Sequence, residues 1–195
     1  MEVLARAGRP RALAAITVLA AIALVAAGAS TAEAVPISQG HTKLTFNQNT
    51  SSGLDALGIG ILPIPPAEAR LGGESFPITH GSVSRNGRSA RIHHDGGIVF
   101  VGDNASVRVR RLEVHLCCRN TSDSVVRALV DGQRMTFLSL AGGDLTSGGR
   151  SLTFRGIHAF LTPRAADTLN QAFATGFFQD GTRLGKLRIQ ITLTR

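Results

Sequence analysis

The densest polar cluster in the chain is His93-His94-Asp95-Gly96-Gly97, two imidazoles and a carboxylate directly before the apolar Ile98-Val99-Phe100. Imidazole can ligate a metal or a haem iron, move a proton near neutral pH, or satisfy backbone groups in a tight loop. Successive strand residues point to opposite faces, so at most one of the two histidines serves a given site unless the chain turns between them. With Ile92 facing the core, His93 is the outward one, and His94 shares the inward side or begins the turn that Gly96-Gly97 completes. Two readings of His94 stand. It fixes the loop by hydrogen-bonding backbone groups, or it ligates a metal or haem iron with His80, His115 or His158 as a second donor. His115 shares its strand face with Arg111, Glu113 and Cys117, the pattern of a solvated face.

The second chemical feature is cationic. Arg108, Arg110 and Arg111 lie within four positions, and Arg85, Arg88 and Arg91 flank an Asn86-Gly87 turn. Together they would form an anion-binding stripe; solvated strand faces account for them equally well. Almost all the basic residues are Arg, with only Lys43 and Lys186 as lysines, and Arg favours bidentate contacts to phosphate or carboxylate. The third feature is Cys117-Cys118, the only cysteines. A disulfide between neighbours distorts the intervening peptide and cannot keep strand geometry. Three alternatives stay open: Cys118 in the core with Cys117 on the opposite face, the strained neighbour disulfide, or an intermolecular bond or thiol ligand. The spacing is not that of a zinc site, and no metal is expected.

Other chemistry lacks its signatures. Gly-x-Ser-x-Gly, Ser-x-x-Lys and His-Glu-x-x-His do not occur, so serine-hydrolase and helical-zinc mechanisms have no local support. Gly142-Gly143 and Gly148-Gly149 lack the Gly-Lys-Ser/Thr of a phosphate loop and read as turns. Scattered carboxylates leave one catalytic alternative, an envelope-glycan hydrolase with an acid and base pair distant in sequence. Trp and Tyr are absent, so base stacking would rest on nine Phe, and no nucleic acid partner is expected. The expected class is a non-enzyme.

The elements that must position these residues are strands. Period-two alternation punctuated by Gly, Asn and Asp predicts an all-β chain, a two-sheet antiparallel β-sandwich with one or two short helices. Leu187, Ile189, Ile191 and Leu193 alternate with polar residues in the clearest strand, and Leu44 and Phe46 do so near the start. A helical turn is expected around residues 54–57, and Pro63, Pro65 and Pro66 confine their segment to a loop or edge. Asn86-Gly87 and Asp131-Gly132 predict hairpins. The apolar parity slips at Arg110-Arg111 and again at Gly156, which predicts a bulge at each. Thr162 and Pro163 begin a helix with Ala166, Leu169 and Phe173 on one face and Gly176 at its end, placed to cover an open end of the sheets.

Residues 1–34 read as a cleaved export signal: Arg6, Arg9 and Arg11, an uncharged apolar stretch over 12–29, then Ala32-Glu33-Ala34. Cleavage is expected after Ala34; retention as an N-terminal anchor is the alternative, because the apolar stretch is just long enough to span a bilayer. Residues 35–195 then form a single exported domain, secreted or held at the cell envelope. The formal charge of +8 points to phosphate-rich envelope polymers or lipid head groups as partners.

The order of segments carries a resemblance. Phe76-Pro77-Ile78 leads into Ile92-x-His94-x-Gly96-Gly97-Ile98-x-Phe100, then a long strand over 107–114 and Asp131-Gly132. Leu152-Thr153-Phe154-x-Gly156-Ile157 and Ala159-x-Leu161-Thr162 follow, with an Ala-rich helix after them. Over residues 71–173 this succession resembles the HtaA-type domain of exported actinobacterial haem-uptake proteins. The resemblance implies a two-sheet β fold with short helices and a binding role at the envelope, without catalysis. Members of that family bind haem through a tyrosine near the start of the domain. This chain has no tyrosine, and no aromatic motif of that kind over 42–57, so the ligand does not carry over. His94 is the one residue nominated for haem, and a relative that kept the scaffold and lost the ligand fits as well.

Overall fold

The structure, a computed structural model, describes residues 34–117 and 123–194. The predicted leader lies outside them, and none of the described helices is long and apolar enough to cross a membrane. In chain order the elements are β1 (Ala34–Phe46), α1 (Gln48–Ala56), β2 (Gly60–Ile64), β3 (Glu68–Arg70), β4 (Gly73–Ser84), β5 (Ala90–His94), β6 (Gly97–Val101) and β7 (Ser106–Leu116). They continue with β8 (Val125–Val130), β9 (Gln133–Ala141), β10 (Asp144–Gly148), β11 (Ser151–Leu161), α2 (Pro163–Phe173) and β12 (Arg183–Leu193).

All the described strands belong to one antiparallel sheet, and the sheet meets its own edge. Pairing of β7 with β8 closes the ring β7-β5-β4-β1-β12-β11-β9-β8 into an eight-stranded barrel, with β2, β3, β6 and β10 as additions. The all-β class and the two short helices agree with the sequence; the two-sheet sandwich does not. Alternation reports only that one face of each strand is buried, which holds equally for a sandwich and for a sheet closed on itself. Bulges do the rolling. The one in β7 falls between Arg110 and Glu113, with Arg111 at φ 51°, and the first of two in β11 falls between Phe154 and Ile157, with Gly156 at φ 69°. Each marks a handover along one edge: β6 gives way to β5 beside β7, and β10 to β9 beside β11.

Local chemistry sets the ends of the elements. Asp131-Gly132, at φ 46° and 86°, joins β8 to β9 as a two-residue turn, as expected. Asn86-Gly87 instead sits inside a wider loop in which Ser84 and Ser89 exchange backbone and side-chain bonds. Pro63 lies in β2, which pairs with β6 alone and is an edge strand. Thr162 caps α2 by accepting from the Ala165 N–H, but the helix ends at Ala174 in the left-handed conformation and not at Gly176. Asn170 supports that end through its backbone carbonyl, which accepts from Thr175, and through its side chain, which bonds both backbone groups of Phe178.

The barrel interior is packed with side chains. Leu44, Phe76, Ile92, Val109, Val114, Val126, Leu187 and Ile189 are all buried, and each large apolar group contributes about 1.5–3 kcal/mol by leaving water. Beneath α2, Phe100 meets Phe137 and Phe178 with ring centroids 6.4 and 6.5 Å apart. Gly97 lets β6 lie against β7, since a Cβ there would stand 2.0 Å from the Val109 carbonyl oxygen. Gly97→Ala should therefore lower stability by about 2 kcal/mol or more, read as a drop in midpoint on thermal or urea unfolding. Gly148→Ala, where a Cβ meets nothing within 4 Å, should stay within about 0.5 kcal/mol of the parent.

Candidate functional site

His94 is an interior residue. It ends β5 on the same face as Ala90 and Ile92 and is 3% exposed, while His93 points outward, as the alternation requires. Its Nδ1 stands 3.1 Å from the Leu112 carbonyl and its Nε2 2.7 Å from the Thr42 hydroxyl. A carbonyl only accepts, so Nδ1 carries the proton, and the neutral Nε2 accepts from the Thr42 O–H. Leu112 lies in the β7 bulge, outside the registers of all three ladders of that strand, and the imidazole satisfies its carbonyl. The cavity beside the ring is about 30 Å³, enclosed by residues that include Phe76, Ile98, Val114 and Leu187. That is room for about one water and not for a porphyrin. Neither the space nor the free lone pair that a haem iron needs is present at His94. His80 and His115 lie on the outer face and His158 on β11, so none joins it as a second donor.

The same bulge arranges the arginines. Arg108 and Arg110 face outward from regular positions of β7, and the left-handed conformation of Arg111 leaves that residue exposed beside them. Its N–H donates to the Gly96 carbonyl, 3.2 Å away. Gly96 has φ 77°, and a Cβ there would stand 2.5 Å from the Ile64 carbonyl oxygen and 2.7 Å from the Ala67 nitrogen, so this corner of the loop admits only glycine. The three arginines line one open cleft of about 720 Å³ with Pro65, Pro66, Asp95, Gly96, Leu129, Asp131 and Gly132. Asp131 is engaged: its Oδ1 accepts from the Arg108 N–H at 2.9 Å, and its own N–H donates to the Arg108 carbonyl. Among the described residues none of the three guanidinium groups makes an ion pair. The cleft thus presents three cationic forks around a partly apolar floor, a geometry suited to an anion with several oxygens.

The other arginines of the expected stripe go elsewhere. Arg88 borders a separate cleft of about 620 Å³ between the 85–88 loop and β10, together with Leu116, Cys117, Ser124, Leu145 and Phe154. Arg91 joins a cluster around Glu113. Cys117 is half-buried at the end of β7, where its N–H donates to the Ser124 hydroxyl at 2.9 Å. Cys118 lies outside the described residues, and the pairing of the two cysteines with it. The described residues contain no group of three or more His, Cys, Asp or Glu arranged to hold a metal ion. Sequence reasoning passed over Glu74, which is buried on β4 with Oε2 lacking a hydrogen-bond partner among the described residues; burial pushes its pKa up. Its inward parity with Phe76 and Ile78 was the available signal.

Burial lowers the pKa of His94 to about 4; its bond to the Leu112 carbonyl opposes the shift and His93 adds to it. The folded chain therefore keeps this ring neutral while the unfolded chain takes a proton below about pH 6.5. The stabilisation is complete above that pH and is lost as pH falls toward 4, a change on the order of 3 kcal/mol. Urea unfolding across pH 7 to 4 should show this loss, and His94→Gln should flatten it while lowering stability at pH 7 by about 1–3 kcal/mol.

No family model matches the chain, and no curated protein matches it significantly. Solved structures do. The C-terminal domain of HtaA from Corynebacterium glutamicum aligns with a TM-score of 0.61 at 16% identity, covering 82% of this chain and 99% of that domain. The N-terminal domain of HtaA aligns at 0.59 and 14% identity, with the same coverage. HtaB of the same organism, described as a heme binding protein, aligns at 0.57 and 11% identity, over 83% of this chain and 96% of HtaB. The chain has the fold of these domains, and its resemblance to the HtaA type extends from the order of its motifs to its architecture.

Proposed function

We propose that this chain is an exported, non-enzymatic binding module of a bacterial cell envelope, built on the HtaA-type barrel, which takes an anionic ligand on the outside of its wall. The contrast between a filled interior and an open arginine cleft carries the reading. The cavity beside His94, about 30 Å³, is too small for a ligand, whereas the cleft of Arg108, Arg110 and Arg111 is of ligand size and its guanidinium groups make no ion pair among the described residues. Export rests on the leader pattern of residues 1–34 and fits a surface of this charge.

Haem is the first ligand to test, because HtaB, which shares the fold, is described as binding it. Its two carboxylates suit the arginines. The residues at His94 do not suit its iron, and the tyrosine of the family pattern is missing. A second reading, favoured by the same unpaired guanidinium groups, is adhesion to anionic envelope polymers or lipid head groups. That version weakens steeply with salt, since exposed charges are screened within about 8 Å at physiological ionic strength.

The deciding experiment is a haem titration followed by Soret absorbance. The proposal expects a saturable change that Arg108→Ala/Arg110→Ala weakens about tenfold, the loss of roughly 1.4 kcal/mol, and that His94→Gln leaves in place. Absence of a saturable change removes haem and leaves the cleft to other anions, tested with the same variants against inorganic polyphosphate. Binding of either ligand that ignores both arginines would overturn the assignment of the cleft.

A further inference from the structure

Two residues beyond the bulge, β7 carries a second charged group. The side chain of Glu113 is 12% exposed and both of its oxygens are occupied. Oε1 stands 2.6 Å from His115 Nε2, 3.7 Å from Arg91 Nε and 3.8 Å from His93 Nε2, and Oε2 stands 3.2 Å from Arg134 Nη1. His93 is stacked on His80 from β4, with ring centroids 4.1 Å apart and planes 9° from parallel. Register completes the surroundings. Glu113 is paired with His93 on one side and with the exposed Arg127 on the other, and His115 is paired with Arg91. The groups that face one another here are His80 from β4, Arg91 and His93 from β5, Glu113 and His115 from β7, Arg127 from β8 and Arg134 from β9. One carboxylate is surrounded by three arginines and three histidines.

We propose that this outer face of β4, β5, β7, β8 and β9 is a docking surface for a linear phosphate polymer, and that acid strengthens its grip. The three arginines are charged throughout the accessible pH range and Glu113 offsets part of their charge. Imidazoles gain charge as pH falls below neutral. Here acid adds positive charge to a patch that already carries three arginines, while Glu113 stays ionised. Its pKa is lowered, because the His115 hydrogen bond and the charges of His115, His93 and Arg91 outweigh the opposing effect of burial. His93 is held below the ordinary histidine value by burial and by His80, Arg91 and His115, against Glu113, so its charge arrives only in acid. The choice of a flexible polymer over a lipid surface follows from the apolar residues. The exposed large ones, Leu57, Leu62, Leu71 and Leu145, all lie off this face, which therefore has nothing to insert into a bilayer. The proposal concerns different side chains from the arginine cleft and does not depend on it.

The test is binding of the full chain to inorganic polyphosphate at pH 7.5 and pH 5.5, at one fixed ionic strength. Affinity should rise about tenfold or more on acidification, as expected when added cations displace counterions from a polyanion. His80→Gln/His93→Gln/His115→Gln should reduce that rise to within about twofold, while the control His41→Gln/His158→Gln keeps it. Glu113→Gln should tighten binding at pH 7.5, which provides an independent readout if the triple variant fails to fold. Arg108→Ala/Arg110→Ala should leave the ratio between the two pH values unchanged, so failure of the cleft and failure of this face are separable. A rise that persists in the folded triple variant, or weaker binding by Glu113→Gln at pH 7.5, would overturn the proposal. Tighter binding to phosphatidylglycerol vesicles than to polyphosphate at pH 5.5 would overturn the choice of occupant.

Discussion

The hydrogen bond from His94 to the Leu112 carbonyl is the constraint on which this structure turns. A bulge bends its strand in the sense that a closing sheet uses, and the one in β7 leaves the Leu112 carbonyl beside the buried ring of His94. Leaving that group without a partner would cost about 1–3 kcal/mol. An imidazole at the end of the neighbouring strand β5 solves the problem, and Thr42 on β1 satisfies its second nitrogen. Three strands that are not all neighbours are thereby tied at one point. The same bulge sends the Arg111 N–H the other way, to Gly96, and so fixes the loop that leads into β6. The His94 bond, the handover from β6 to β5 beside β7 and the exposed position of Arg111 all meet at this irregularity.

Much of this was legible in the sequence because it follows from period two. The parity slips at Arg110-Arg111 and at Gly156 located two of the bulges, and Asp131-Gly132 located a turn that needs two left-handed residues. The outward and inward senses of His93 and His94 came from the same rule. Closure was not legible. It depends on β7 meeting β8 along an edge, a partnership set by the summed twist and shear of eight strands, and no local pattern records it. The Glu113 cluster was half legible: alternation put His115 and Glu113 on one face, but the arrival of His80, Arg91 and Arg134 requires strand register.

The His-x-Gly-Gly segment shows why a motif with ligand-like residues can be architectural. Its histidine partners the carbonyl at the β7 bulge. Its first glycine turns the loop past Ile64 and Ala67, and its second allows β6 to approach Val109. Every member has a packing role. The segment can therefore recur wherever this barrel recurs, whatever the barrel binds.

The barrel interior and the outer wall draw on different side chains in this protein. At 11–16% identity the likeness to the HtaA domains and HtaB is one of fold, and a fold depends more on where apolar residues and glycines fall than on which side chains face outward. The outer wall is free to change. Here it lacks tyrosine and carries a run of arginines that make no ion pair among the described residues, with Asp131 bonded to the backbone of Arg108 and Glu113 held in its own cluster. A wall arranged in that way keeps its positive charge available to solvent. The specificity of such a module would then be decided by how anions are distributed along a partner, and not by the contents of the barrel.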